Sequence, residues 1–294
     1  MPDRALARRW LADVALFLVA TSWGATFPLA KRLLLELPPF FYLALRFALA
    51  AALLFGVCGR QLPRLGKQGL IDGVVLGTLL TAGYGLQTVG LRTASATVAA
   101  FLTGLSVVMV PVLGLVRGRR PGALAWVGVG SALAGLVLLT IEPRAGARFG
   151  MGELLLLGCA LAYAVHIVYQ SRVAARSPAL PLGLVQITVV ALLTLVLSIG
   201  EPKPLGLTPY ATWALVAMAV VCTAAAFTIQ AWAQRFTPPT HVGLLFAFEP
   251  VAAALFAWAW LGERLSAGQW LGAGLIFAGI VLAEWGPASA IEVR

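Results

Sequence analysis

Charge is what this chain has least of. Only 11% of its 294 residues are Asp, Glu, Lys or Arg, against 61% apolar ones. A soluble domain carries about 25% charged residues, because its surface faces water. So few charges cannot cover a globule, and a mean hydropathy of +0.93 agrees. Lipid is expected to be most of the chain's solvent. Cysteine is scarce too. Cys58, Cys159 and Cys222 lie inside apolar runs, an odd count without disulfide or metal spacing. There is no H-E-x-x-H and no G-x-x-x-x-G-K-[ST], so zinc hydrolysis and ATP-driven chemistry lack their parts, and no metal or cofactor is expected. Acid is outnumbered, 11 Asp and Glu against 21 Lys and Arg. The basic residues sit singly or in small clusters between apolar runs, which reads as topology signalling and gives no reason to expect a nucleic-acid partner.

What the chain has in abundance is apolar runs long enough to span a bilayer, about 20 residues each. Ten are expected, near 11–30, 39–58, 69–90, 95–116, 121–141, 150–171, 179–199, 208–234, 240–261 and 266–286. The fold class is all-α integral membrane. Pro38-Pro39 precedes the second span and Pro121 opens the fifth, where a missing N–H costs nothing. Thr208-Pro209 reads as an N-cap with a first-turn proline, and Ser266 with Gln269 as a capping box. Arg4, Arg8 and Arg9 ahead of the first span admit a signal peptide, but the run is long and no A-x-A site follows. Alternating the sides from an inner N-terminus puts 13 Lys and Arg inside and 7 outside, with Arg46 within a span. Both termini are therefore expected in the cytoplasm of a multi-pass inner-membrane protein.

The halves resemble each other. At an offset of 144, Trp126 falls on Trp270, Gly128 on Gly272, Gly130 on Gly274, Gly135 on Gly279 and Val137-Leu138 on Val281-Leu282. At 143, Gln87 falls on Gln230, Arg92 on Arg235 and Thr97 on Thr240. Five spans per half is an odd number, so the second half inserts upside down. The expected units are 11–141 and 150–286, with cytoplasmic tails 1–10 and 287–294. Inverted repeats are characteristic of transporters, which bind solute at the midplane between repeats.

Short motifs in order carry a further likeness. Trp23-Gly24-Ala25-Thr26-Phe27 with Lys31, then Leu45-Arg46-Phe47, then Glu249-Pro250-Val251, Leu261-Gly262-Glu263-Arg264-Leu265 and Trp270-Leu271-Gly272 resemble the EamA family of the drug/metabolite transporter superfamily. The likeness spans the chain, and the YddG-like branch, which exports aromatic amino acids, looks most similar. It departs where the first repeat would carry Leu-Gly-Glu-Arg, since Val116-Arg117-Gly118-Arg119-Arg120 stands there. The resemblance implies a ten-helix basket with inward termini that exports amino acids, other metabolites or drugs. Its partners would be a small-molecule substrate and lipid, with the oligomeric state open.

Depth at about 1.5 Å per residue places Trp23, Ser106, Tyr163 and Glu249 near the midplane, as candidates to border a central cavity. Trp23 and Tyr163 read equally as packing aromatics. Arg46 and Glu249 are the two deepest charges. They are expected to face the interior as an ion pair, or else to hold a substrate carboxylate on Arg46 and a proton on Glu249. His166, and His241 at an inner edge, read as neutral interhelical partners ahead of proton relays. Gln87 and Gln230 are symmetric candidates for gates or interhelical bonds. Tyr84, Phe101, Phe227 and Phe246 are candidate lining. Pro28, Pro111 and Pro250 lie inside spans and are expected to kink them. Gly69, Gly73 and Gly77 make a smooth packing stripe.

Two rival classes are weaker. Gly104-Leu105-Ser106-Val107 superficially matches the G-x-S-x pattern of rhomboid proteases, with His166 as base. By depth Ser106 is central while His166 lies about 7 Å from the inner face, too far apart for proton transfer. A channel would need a filter motif or charged ring, and neither is present.

Overall fold

With no water to satisfy backbone groups in lipid, an apolar run can close its hydrogen bonds only within a helix. The described residues of the expected runs are almost all helical. The computed structural model describes residues 2–115, 122–140, 150–174, 176–233, 236 and 245–285. Its helices are α1 Pro2–Leu33, α2 Pro39–Cys58, α3 Gly66–Leu91, α4 Ala96–Leu115, α5 Ala123–Thr140, α6 Met151–Ala174 and α7 Ala179–Leu197. Then come α8 Pro209–Ala219, a π-helical turn Val220–Ala225, α9 Ala226–Ala233, α10 Glu249–Leu261 and α11 Ala267–Trp285. A 3₁₀ segment, Gly59–Leu65, joins α2 to α3. No strand occurs among the described residues.

Five stretches are long and apolar enough to cross a membrane: Trp10–Leu33, Pro39–Leu91, Met151–Gln170, Ala179–Gly200 and Pro209–Gln230. Ala96–Val110, Trp126–Leu139, Glu249–Leu261 and Ala267–Leu282 are shorter apolar helices. Large side chains such as Phe55, Trp258 and Leu271 stand exposed. An apolar exterior of this kind suits lipid and not water.

The caps form as the sequence indicates. The Thr208 hydroxyl accepts from the Ala211 N–H with Pro209 in the first turn. Ser266 and Gln269 bond reciprocally at 3.0 and 3.3 Å. Pro28 lies inside α1, and Pro111 falls within α4. Pro250 occupies the first turn of α10, and the helical path breaks at Ala247–Phe248 between it and helical Leu245–Phe246. The expected span 208–234 runs on as one helical stretch, widened by the π-helical turn Val220–Ala225. Its β-branched Val220, Val221 and Thr223 are poor helix formers. Pro121, the Val116–Arg120 departure and His241 lie outside the described residues.

Small residues set the packing. α5 and α11 touch backbone to backbone. A Cβ on Gly135 would sit 2.5 Å from the Gly272 carbonyl oxygen, and one on Gly279 2.6 Å from that of Gly128. These contacts exchange under the 144-residue offset: Gly128 maps to Gly272 and Gly135 to Gly279. Between them Ser131 Oγ donates to the Leu275 carbonyl at 2.8 Å, again a pair 144 apart. Elsewhere α2 packs on α7, α3 on α6 and α7, α4 on α6 and α10, and α1 on α9 and α10. On α3, Gly73 and Gly77 seat Val185 and Val189 of α7, so that stripe is close packing.

Polar side chains tie the helix ends. At one end Lys31 Nζ donates to the carbonyls of Leu91, Arg92 and Ala94 at 2.7, 3.1 and 2.7 Å. There Glu263 accepts from the N–H groups of Ala96 and Thr97 and from the Thr97 hydroxyl. Glu201 likewise accepts from the N–H groups of Phe40 and Phe41. Each carboxylate caps the N-terminus of a helix remote in sequence, where unpaired N–H groups and the helix dipole favour negative charge. At the other end, buried Asp72 accepts from Tyr169 Oη, Gln68 Nε2 and Arg176 Nη2.

Candidate functional site

The polar interior is built on α2. Tyr42 and Arg46 are four residues apart and therefore share one face of that helix. Both are buried. Arg46 Nη1 donates to the Tyr42 hydroxyl at 3.2 Å, and Nε donates to Thr223 Oγ1 at 3.2 Å. Thr223 can reach because the π-helical turn presents it. Its hydroxyl in turn donates to the Met218 carbonyl five residues back, at 3.0 Å. The rings of Phe47 and Tyr84 flank the guanidinium, with centroids 5.2 and 5.7 Å from Cζ. Such rings favour a cation electrostatically.

A second cluster adjoins the first through Tyr84, whose ring meets Tyr163 edge-on at 5.6 Å. Tyr163 Oη donates to Gln87 Oε1 at 3.5 Å, and Gln87 Nε2 donates to Thr103 Oγ1 at 3.4 Å. Gly83 makes room for this arrangement. A Cβ there would fall 2.2 Å from Tyr163 Cε1. A cleft opens between α1, α2 and α3, lined by Thr26, Phe27, Tyr42, Arg46, Tyr84, Gln87 and Thr88 among others. It has room for little more than a water molecule.

Of the residues singled out in the sequence, Arg46, Tyr84 and Gln87 line this cleft, and Tyr163 touches two of them. Glu249 is partly buried at the start of α10, within electrostatic reach of Tyr84, Tyr163 and Cys159. The expected Arg46–Glu249 ion pair is not formed. Among the described residues the ion pair within bonding distance is Arg176–Asp72, at 2.9 Å. Similar depth leaves lateral separation open, and Tyr42 and Thr223 turn the guanidinium toward α2 and the π-helical turn.

Trp23 stands apart from the cleft. Its indole donates to the Cys222 carbonyl at 2.9 Å, and its ring packs near Phe246 and Phe227 at 5.0 and 6.3 Å. The π-helical turn thus serves both Arg46 and Trp23. Phe101 lies in the core, and Ser106 is buried on α4. His166 bonds Gln186 Oε1 at 2.9 Å, and Gln186 passes a bond to Gln170 at 3.1 Å. That relay joins α6 to α7, away from the cleft. Gln230 is partly buried on α9.

Several residues of these networks were not singled out. Tyr42 was detectable as the helical neighbour of Arg46. Thr223 was not, since no spacing announces a π-helical turn. Thr88 lines the cleft without any motif. Asp72 is an acid in an apolar run, and that alone marks it as paired.

Comparison with known proteins supplies the class. The EamA-like transporter family matches this chain twice, over residues 10–141 and 150–285. A protein of Archaeoglobus fulgidus named as an uncharacterized transporter is 30% identical, the match covering 94% of this chain and 86% of that protein. The inner membrane transporter YedA of Escherichia coli K12, likewise named uncharacterized, is 26% identical over 92% of this chain and 90% of its own length. The S-adenosylmethionine/S-adenosylhomocysteine transporter of Chlamydia trachomatis is 24% identical over 91% and 88%. A solved crystal structure shares the fold, with a TM-score of 0.65, 22% identity and coverage of 92% of this chain and 96% of that one. This chain is a membrane transporter and belongs to the EamA-like transporter family.

Proposed function

We propose that the protein is a secondary transporter of the bacterial inner membrane. It exports small metabolites, amino acids foremost and aromatic ones among them, by alternating access around a midplane site. Its ten spans form two inverted five-helix units, 11–141 and 150–286, with both termini in the cytoplasm. The chain has no nucleotide-binding motif, so a solute or ion gradient drives the cycle.

The observation that carries this reading is the exchanged pair of contacts between α5 and α11, Gly135 with Gly272 and Gly128 with Gly279. A contact set that maps onto itself when the halves are swapped is what a two-fold axis between them produces. With that axis in the membrane plane, closure on one side has an equivalent on the other. The polar cluster around Arg46, Tyr84, Gln87 and Tyr163 is the solute site. Trp23, Phe101, Ser106, His166, Phe246 and Glu249 border the path as the site enlarges, and Pro28, Pro111, Pro250 and Gln230 belong to the moving elements.

One observation favours a second substrate class. A relative over 91% of this chain is named for S-adenosylmethionine and S-adenosylhomocysteine. Another metabolite with a flat heterocycle is therefore the alternative cargo. Uptake into proteoliposomes over a panel of amino acids, S-adenosylmethionine and organic cations decides, with and without a pH gradient. Saturable uptake of an amino acid is the expected result. Saturable uptake of S-adenosylmethionine alone selects the alternative, and linear flux of every solute makes the protein a channel.

A further inference from the structure

Among the described residues, the groups that bond or flank Arg46 are all uncharged. Its side chain is 4% exposed, yet no carboxylate among the described residues lies within ion-pair distance. Its two bonded nitrogens donate to hydroxyls, which are neutral acceptors. Nη2 has no hydrogen-bond partner among the described residues. A buried guanidinium is normally paired with an anion, since charge in a low-dielectric interior is costly otherwise. Here the guanidinium lines a cleft instead. The hydroxyls of Tyr42 and Thr223 fix it from two sides and set its orientation.

We propose that the free edge of Arg46 is the subsite for a substrate carboxylate, held in position by Tyr42 and by Thr223 from the π-helical turn. This deepens the transporter reading and rests on it. A guanidinium presents paired N–H donors that match a carboxylate in a fork, which an ammonium cannot do. Tyr84 and Phe27, which line the same cleft, offer apolar surface to the substrate's body. Thr223 acts as a positioning residue. It does not meet the substrate, and a register change in the π-helical turn would withdraw it from Nε. Because that turn also anchors Trp23 through the Cys222 carbonyl, α1 and the carboxylate subsite are set by one element.

The test uses the full-length wild-type protein in proteoliposomes and needs no variant for its first arm. Carboxylates are compared with their amides: phenylalanine with phenylalaninamide, leucine with leucinamide, and 3-phenylpropionate with its amide. A site built to bond a group rejects analogues lacking it, so acids are preferred over amides by about tenfold or more. Arg46→Lys then collapses that preference, and Thr223→Val weakens it by raising KM for the acids with the amides little affected. Amides or organic cations carried as well as the acids overturn the proposal while leaving a transporter. So does an Arg46→Lys protein that loses acids and amides in equal proportion, which is a structural role. If none of these acids and amides crosses, the amino-acid reading of the cargo fails and the carboxylate proposal with it.

Discussion

Gly83 is the residue on which the central cluster's geometry turns. Tyr163 reaches Gln87 only because nothing projects from α3 at position 83, where a Cβ would come within 2.2 Å of the ring. Gly83→Ala is expected to displace that ring and destabilise the protein by about 1–3 kcal/mol, the usual cost of overpacking. Gly56→Ala is the control, since nothing lies within 4 Å of an added Cβ there. It is expected to be neutral or to stabilise by up to about 1 kcal/mol through helix propensity. Thermal unfolding of the two variants in one detergent checks this, and equal melting temperatures would contradict it. At this scale the sequence was half legible. Charges and aromatics in an apolar chain announce themselves, so Arg46, Tyr84 and Tyr163 could be found. Which of them meet could not. Depth along a helix says nothing of lateral position, and that is why Arg46 and Glu249 looked like partners. The hydroxyls that hold Arg46 are common side chains whose role exists only in three dimensions.

The elements were more legible than their contacts. Helices fall where the apolar runs are, and the Thr208 and Ser266 caps sit where their residues indicate. The π-helical turn Val220–Ala225 was not foreseen. It is a place where the backbone departs from one regular spiral, and the departure has no hydrophobic period to reveal it, whereas Pro250 announces the break before α10. The Leu-Gly-Glu-Arg motif gains a physical meaning at this level. Glu263 caps α4 from the connection between α10 and α11, so the acid stabilises a helix start and not a chemical step. Glu263→Ala is expected to cost about 0.5–2 kcal/mol, as lost N-caps do, and to speed amide exchange in the first turn of α4. Unchanged exchange there would show that the carboxylate is dispensable. The α5–α11 pair makes a second prediction. Gly279→Ala would push a methyl to 2.6 Å from a backbone oxygen that cannot move aside, whereas Gly274→Ala meets nothing. The first is expected to lower the unfolding temperature, and the second to leave it or raise it. A reversed order would mean the two helices are held by something other than their glycines.

For the molecule as a whole, the pseudo-symmetry matters more than any one site. Its halves were detectable in sequence through Trp126 and Trp270, whose match at 144 is costly by chance, and the same offset governs Ser131 with Leu275. The two ends of the bundle are not equivalent, however. One is tied by Lys31, Glu201 and Glu263 to helix termini, the other by Asp72 with Tyr169, Gln68 and Arg176. The proposed alternating access has these two sets of ties open in turn. The interior cleft has space for about a water molecule, too little for a metabolite. In the proposed cycle a solute is accommodated by movement of the halves, and movement of that kind leaves a kinetic signature. Trans-stimulated exchange in proteoliposomes measures it directly: labelled solute inside, with unlabelled solute present or absent outside. The account predicts saturable efflux that unlabelled substrate on the far side accelerates, because the loaded site returns faster than the empty one. Flux that rises linearly with concentration and ignores the far side would contradict it.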